Sequence, residues 1–94
     1  MPRRVVRDKR RRRKPLVSEL VWAMSGGMPP SAALRRGLDP EAERARFHEW
    51  DRQCGFAWRV EHGVPTAADR ERLAAGEVPV PGAVDPPYMR EDEQ

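Results

Sequence analysis

The sequence contains few of the residues that stabilise small exported proteins and small metal-binding domains. Its 94 residues include one cysteine and two histidines. The single cysteine, Cys54, can form neither an internal disulfide nor a four-ligand zinc site. We therefore expect a protein of a reducing compartment, located in the cytoplasm or in a virion, with no metal and no cofactor.

Long apolar runs are also missing. No stretch approaches the roughly 20 apolar residues that are needed to span a bilayer. The basic N-terminus runs into Pro15 and a short amphipathic segment, and no apolar region with a small-residue cleavage site follows it, so a signal peptide is not expected. The sequence predicts no membrane partner.

The sequence offers little support for catalysis. Cys54 and His48 lie six residues apart on one predicted helix, about 120° apart around its axis. This placement does not suit a nucleophile and its base. The pair Gly26 and Gly27 lacks the preceding strand and the following Lys-Ser/Thr of a phosphate-binding loop. We predict a non-catalytic protein in which Cys54 is a buried structural thiol.

The chain is long enough for one domain at most. Ten prolines and seven glycines cluster at the ends and at a few breaks, which limits the compact part to residues 15–76. A domain of this size buries only ~60% of its unfolded surface and is marginally stable alone. We therefore expect a homo-oligomer or a subunit of a larger complex, because binding stabilises the folded state.

Positive charge is concentrated at the start of the chain. Residues 1–14 contain nine cations and one acid, Asp8, for a net charge of +8, whereas the other 80 residues contain nine arginines and fourteen acids, for a net charge of −5. The nine cations are Arg3, Arg4, Arg7, Lys9, Arg10, Arg11, Arg12, Arg13 and Lys14. Because like charges repel, the sequence predicts that residues 1–14 form a disordered basic arm.

The arginine content of the arm favours nucleic acid as its partner, with DNA favoured over RNA. Arginine binds phosphates in a bidentate manner and stacks on bases. Two alternatives stay open: a solvated tail, and a segment that docks on the acidic body of a neighbouring subunit. A membrane surface is disfavoured because no bulky apolar residues accompany the cations.

Capping residues and apolar spacing predict four helices. They run from about Pro15 to Met24, from Ser31 to Arg36, from Asp39 and Pro40 to His62, and from Thr66 to Gly76. Residues 77–94, rich in proline and acidic at the end, are predicted to be an extended tail that lies across another subunit or is disordered. The fold class is thus all-α, a small three- to four-helix domain between a basic arm and a Pro-rich tail.

The third predicted helix carries an apolar stripe that should pack on the first helix. The stripe consists of Phe47, Trp50, Cys54, Ala57 and Trp58. We expect all three tryptophans, Trp22 included, to lie in the core, although base stacking is the alternative. Phe56 points away from the stripe, so either Gly55 breaks the helix or Phe56 serves a second interface.

The local pattern around the second and third helices resembles a known DNA-binding module. Ala33 and Gly37 are four residues apart, Leu38 follows the glycine, and Phe47-His48-Glu49-Trp50 forms an aromatic-x-x-Trp element. Residues 16–60 thus resemble the helix-turn-helix, homeodomain-like modules of phage terminase small subunits, with about one extra helical turn between Gly37 and Phe47. The resemblance implies a DNA-binding module of phage or mobile-element origin.

One flank of the third helix carries candidate contacts to nucleic acid. Arg44, His48 and Arg52 are spaced four apart, with Arg59 on the same flank, and arginine commonly reads guanine edges. Alternatively, Arg44 and Arg52 form ordinary exposed ion pairs with Glu41 and Glu49. The two interpretations remain open.

The sequence therefore predicts a nucleic-acid-binding accessory protein of a phage or bacterial system. Its predicted binding residues are the nine cations of the arm together with Arg44 and Arg52. The alternative is an assembly or interaction protein, such as a virion component, an accessory subunit or an inhibitor of a host protein. In that case the arm and tail would wrap protein neighbours.

Overall fold

A computed structural model describes residues 14–89, so the arm cations from Arg3 to Arg13 and the acidic residues 90–94 lie outside the described residues. Between these limits the chain is helical and contains no strand, which confirms the predicted all-α fold. In this part of the chain, no helix is long and apolar enough to cross a membrane.

The helices follow the order predicted from the sequence. They are α1 (Val17–Ser25), α2 (Pro30–Arg35), α3 (Pro40–Trp50), α4 (Phe56–Glu61) and α5 (Ala67–Ala74). A π-helical turn, Asp51–Gly55, joins α3 to α4, so the predicted third helix is continuous in the chain but not regular. A short 3₁₀ turn, Pro87–Met89, is the last element described.

Local capping chemistry sets most of the helix ends. Gly26 ends α1 in the left-handed region at φ 108°, where glycine meets no steric penalty. The Asp39 side chain accepts a hydrogen bond from the Glu41 N–H at the start of α3. Thr66 and Asp69 form the predicted capping box of α5, with reciprocal hydrogen bonds of 3.0 and 2.9 Å.

The π-helical turn settles the two options left open for Phe56. A Cβ atom on Gly55 would lie 2.1 Å from the Asp51 carboxylate, so a larger residue here would displace Asp51 from its ion pair with Arg59. The extra residue in the turn rotates α4, and Phe56 becomes buried within the domain. The Arg72 guanidinium of α5 lies 4.1 Å from the centre of the Phe56 ring.

The core forms around the predicted apolar stripe. Its buried members are Ala23, Phe47, Trp50, Ala57, Trp58, Ala83, Tyr88 and Met89. Leu20 and Trp22 of α1 pack against this cluster, as predicted for the first helix. Cys54 lies at the edge of the cluster and is half-buried, so it is less buried than the sequence indicated.

Residues 83–89, here called the strap, return to the helices and complete the core. Trp50 Nε1 donates to the Val84 carbonyl at 2.8 Å, and Trp58 Nε1 donates to Asp85 Oδ1 at 3.0 Å. Tyr88 Oη donates to the Glu19 carbonyl at 2.7 Å. The strap lies within the segment 77–94 that the sequence assigned to the tail, and it packs on its own chain through contacts without helical periodicity.

Candidate nucleic-acid interface

Of the predicted basic arm, the structure describes only the last residue, Lys14. Lys14 is exposed and lies three residues before the start of α1. The other eight predicted arm cations lie outside the described residues. The fold therefore fixes where the arm starts, at the N-terminal end of α1.

Three exposed side chains follow the predicted spacing: Arg44 and His48 lie on α3, and Arg52 lies in the π-helical turn after it. Arg52 forms an ion pair with Glu49. Both partners are well exposed, and such pairs contribute little free energy, so a phosphate can compete for the arginine.

Arg44 differs from Arg52 in its surroundings. The ion pair with Glu41 that the sequence allowed is not formed within the described part of the chain. The nearby acid that does pair is Glu43, which binds Arg46 at 2.6 Å on the other side of the helix. Arg44 is therefore the better placed of the two predicted α3 contacts for binding an external anion.

Two open clefts flank the C-terminal end of α1. One, of about 400 Å³, is lined by Trp22, Arg44 and the Gly27–Pro30 connector. The other, of about 510 Å³, lies between α1, α3 and α5 and includes His48 and Arg52 at its edge. Gly26 lines both clefts, so the three predicted α3 side chains are divided between two adjoining clefts and do not line a single groove.

Arg59 does not lie on the exposed flank that the sequence predicted. It is 6% exposed, because the π-helical turn shifts the face on which α4 residues lie. Its guanidinium contacts Asp69 at 2.5 Å and Asp51 at 2.8 Å, and it donates to the Ala23 carbonyl at 3.0 Å. Arg59 therefore joins α1, the π-helical turn and α5 inside the fold and is not available to nucleic acid.

The contacts of Arg59 and Asp69 determine the direction in which the pKa of each group is shifted. Burial opposes the charged forms of Arg59 and Asp69. The hydrogen bonds between them outweigh this penalty, so the pKa of Arg59 is raised and the pKa of Asp69 is lowered from their ordinary values. Both groups remain charged, and the pair neutralises itself within the fold.

The tryptophans separate into two groups. Trp50 and Trp58 are buried and their indole N–H groups are bound by the strap, as expected for core residues. Trp22 is half-buried at the first cleft, where its ring makes an edge contact with Tyr88 and lies 5.6 Å from the Arg36 guanidinium. Trp22 lines the first of the two clefts, whereas Trp50 and Trp58 line neither.

Sequence reasoning did not select Arg35 and Arg36 as candidates. Both are exposed at the C-terminal end of α2. In the sequence, Arg35 and Arg36 are visible as two consecutive arginines before the Gly37 turn. Together with Arg44 they give the α2–α3 side of the molecule a group of exposed cations.

The described residues contain no group of three or more histidine, cysteine or acidic side chains that could hold a metal ion. No protein-family model, curated protein or solved structure matches the chain. Exposed guanidinium groups such as that of Arg44 have the chemistry to bind anions.

Proposed function

We propose that this chain is a non-catalytic nucleic-acid-binding protein in which residues 1–14 bind the phosphate backbone. The observation that carries the proposal is the charge division, with +8 on the first fourteen residues and −5 on the remaining eighty. Each phosphate that the arm neutralises releases condensed counterions, which is the main source of sequence-independent affinity. The helical domain holds the start of the arm.

The exposed arginines of α2 and α3 support a secondary contact. Arg35, Arg36 and Arg44 lie towards the C-terminal side of α1, whereas the arm starts at its N-terminal end. A nine-residue helix is roughly 13 Å long, so the two basic regions contact phosphates at separate points on the nucleic acid. DNA is favoured as the ligand, in agreement with the implied helix-turn-helix, since α2 and α3 pack on each other.

Arg44 and Arg52 have different roles in this proposal. Arg44 has no ion pair among the described residues and binds a phosphate or a base edge directly. Arg52 must first leave Glu49, so its net contribution is smaller. The acidic residues of the body keep it from binding nucleic acid on its own.

A second candidate function, an assembly protein of a phage or bacterial system, is favoured by a different observation. The outward side of α1 is apolar and exposed, which is typical of surfaces that bind protein. In this case the arm binds an acidic protein surface.

The test is binding of fluorescent duplex and single-stranded oligonucleotides to the full-length chain from about 50 to about 400 mM salt. If five to seven arm residues contact phosphates, the log–log slope on duplex DNA is about −5 to −6. Replacing Arg10, Arg11, Arg12 and Arg13 by glutamine should reduce the slope by roughly 3 to 4, because four contacts are lost.

Single substitutions separate the body contacts from the arm. Arg44→Gln should reduce the slope by about 1 if it contacts a phosphate. Arg70→Gln is the matched control, because Arg70 is exposed on α5 and lines neither of the two clefts, and should leave the slope unchanged. The nucleic-acid proposal fails if the intact protein binds neither oligonucleotide at the lowest salt concentration.

A further inference from the structure

Helix α1 buries its one charged residue and exposes several apolar side chains. Its only charged residue, Glu19, is 2% exposed, and its carboxylate accepts a hydrogen bond from the Leu16 N–H at 3.0 Å. The side chains that point outward are apolar: Val17 is 77% exposed and Val21 is 52% exposed. Residues 17, 21 and 24 lie on one helical face, so these side chains form a continuous apolar surface.

This surface, here called the α1 face, consists of Leu16, Val17, Val21 and Met24. The remaining exposed residues of the helix are Ser18 and Ser25, so the outward side carries no charge. That is unusual in a chain of which 35% is charged. The four side chains expose roughly 400 Å² of apolar surface, which is the size of patch that marks an interaction site.

The charged segments 1–13 and 90–94 are not suited to pack on the α1 face. Nine of residues 1–13 and four of residues 90–94 are charged. Packing either segment on an apolar helix would remove charges from water without pairing them, which is costly. Nucleic acid is excluded as well, because the α1 face offers no cation to a phosphate.

A second copy of the chain fits the face. Two identical uncharged surfaces meet with no buried charge, and the contact is self-complementary about a two-fold axis. In the neighbouring cleft, Trp22, Met28 and Pro29 extend the apolar area beside the face, and Arg44 also lines this cleft. The face supplies about half of the roughly 800 Å² per partner that a standard interface buries, so the contact belongs to the small, weakly associating class.

We propose that the α1 face is the interface of a symmetric dimer, with the two-fold axis passing beside Val21. This residue is the midpoint of α1 (Val17–Ser25). In an antiparallel arrangement Val21 packs on its own symmetry mate, and Val17 packs on the Met24 side of the second α1. The interface does not involve the arm or nucleic acid, so it can fail independently of the proposed function.

The first test is sedimentation of the full-length chain over a range of protein concentrations at about 0.5 M salt, where exposed charges are strongly screened. The wild type should dimerise, and Val21→Lys should be monomeric with unchanged helicity by circular dichroism. Val80→Lys is the matched control. Val80 is 70% exposed in the loop after α5 and lies away from the α1 face, so this variant should still dimerise.

The second test is disulfide cross-linking across the two-fold axis. In a Cys54→Ser background, Val21→Cys places two thiols opposite each other, and mild oxidation should convert most of the protein to covalent dimer. Val80→Cys in the same background should remain mostly monomeric.

Three results would overturn the proposal. They are a wild type that is monomeric at every concentration, a dimer that survives Val21→Lys, and equal cross-linking of the two cysteine variants. A dimer that dissociates as the salt concentration rises also contradicts it, and would instead assign the contact to the arm and the acidic body.

Discussion

Replacing Arg59 by methionine should destabilise the folded protein by about 3–5 kcal/mol. Methionine fills a similar volume but cannot bind the groups that surround the guanidinium. Arg59 Nε and Nη2 donate to the two Asp69 carboxylate oxygens at 2.5 and 3.1 Å. Nη1 contacts Asp51 at 2.8 Å and the Ala23 carbonyl at 3.0 Å.

The magnitude follows from what the substitution leaves behind. Asp69 is 2% exposed, and without Arg59 its buried charge keeps the hydrogen bond from the Thr66 N–H but loses its cationic partner. Removing one partner of such a buried pair costs about 3–5 kcal/mol. A chain of this length has a total stability of roughly 5–14 kcal/mol, so the loss is a large share of it.

The matched control is Arg52→Met. It makes the same chemical change in an arginine that is also paired with an acid, but the pair with Glu49 is exposed. The expected cost is about 0–1 kcal/mol. Urea unfolding followed by tryptophan fluorescence measures both variants, and the buried-pair reasoning is refuted if Arg59→Met costs no more than Arg52→Met.

A double variant separates the missing pair from the missing packing. Arg59→Met with Asp69→Leu removes both charges, and it should cost much less than the two single substitutions together. The pH dependence gives an independent check. Because the pKa of Asp69 is lowered in the fold, the pair stabilises the protein above the ordinary aspartate pKa of about 3.9, and this contribution is lost as the pH falls below it. The acid loss should be smaller in the double variant.

Three further predictions concern single residues. Burial raises the pKa of Tyr88, so stability should fall as the pH rises above about 10, where the unfolded chain ionises first; Tyr88→Phe should reduce this alkaline loss in pH-dependent melts. Gly27→Ala should lower the melting temperature more than Gly26→Ala, since both have φ 108° but only at Gly27 does a Cβ meet the Phe47 ring, at 2.9 Å. Thr66→Ala should cost about 1 kcal/mol in urea unfolding through loss of the α5 cap.

Sequence reasoning located the helices because their ends depend on nearby residues. The left-handed Gly26, the Asp39 cap and the capping box of Thr66 and Asp69 are local features, and the structure contains all of them. The apolar stripe was also predictable, since helical spacing places Phe47 and Trp50 on one face. The all-α fold follows from these elements.

The features that the sequence did not predict depend on contacts between distant segments. The π-helical turn requires Asp51 and Arg59 to approach the backbone at Gly55, and Arg59 in turn binds Asp69 ten residues later. Regular 100° spacing therefore placed Arg59 on the wrong face. The strap has no periodicity, so its contribution to the core could not be seen in a pattern of prolines and small residues.

The sequence predicted which residue types form the candidate site, but it did not predict which of them form ion pairs. The arginine run and the spacing of Arg44 and Arg52 are visible in the sequence, but the ion pair that occupies Arg52 and the absence of one at Arg44 depend on side-chain geometry. Exposed arginine pairs are close in free energy to separated charges, so sequence spacing alone cannot choose between them. Their contribution to binding stays a prediction.

Helix α1 shows that sequence periodicity alone does not tell which apolar side chains of a helix face the core. Periodicity identified Val17 and Val21 as apolar positions, but the inward side of the helix is taken by Glu19, Ala23 and the half-buried Leu20. The exposed side chains of Val17 and Val21 therefore face away from the core, where only contact with another molecule removes them from water.

Dimerisation through α1 and binding by the arm should therefore be coupled. A dimer carries two arms that start at opposite ends of the antiparallel α1 pair, and the second arm binds at a high effective concentration once the first is bound. Val21→Lys should then weaken binding to a long duplex by at least about tenfold while hardly changing binding to a duplex too short for two arms. Equal weakening on both lengths would contradict the coupling.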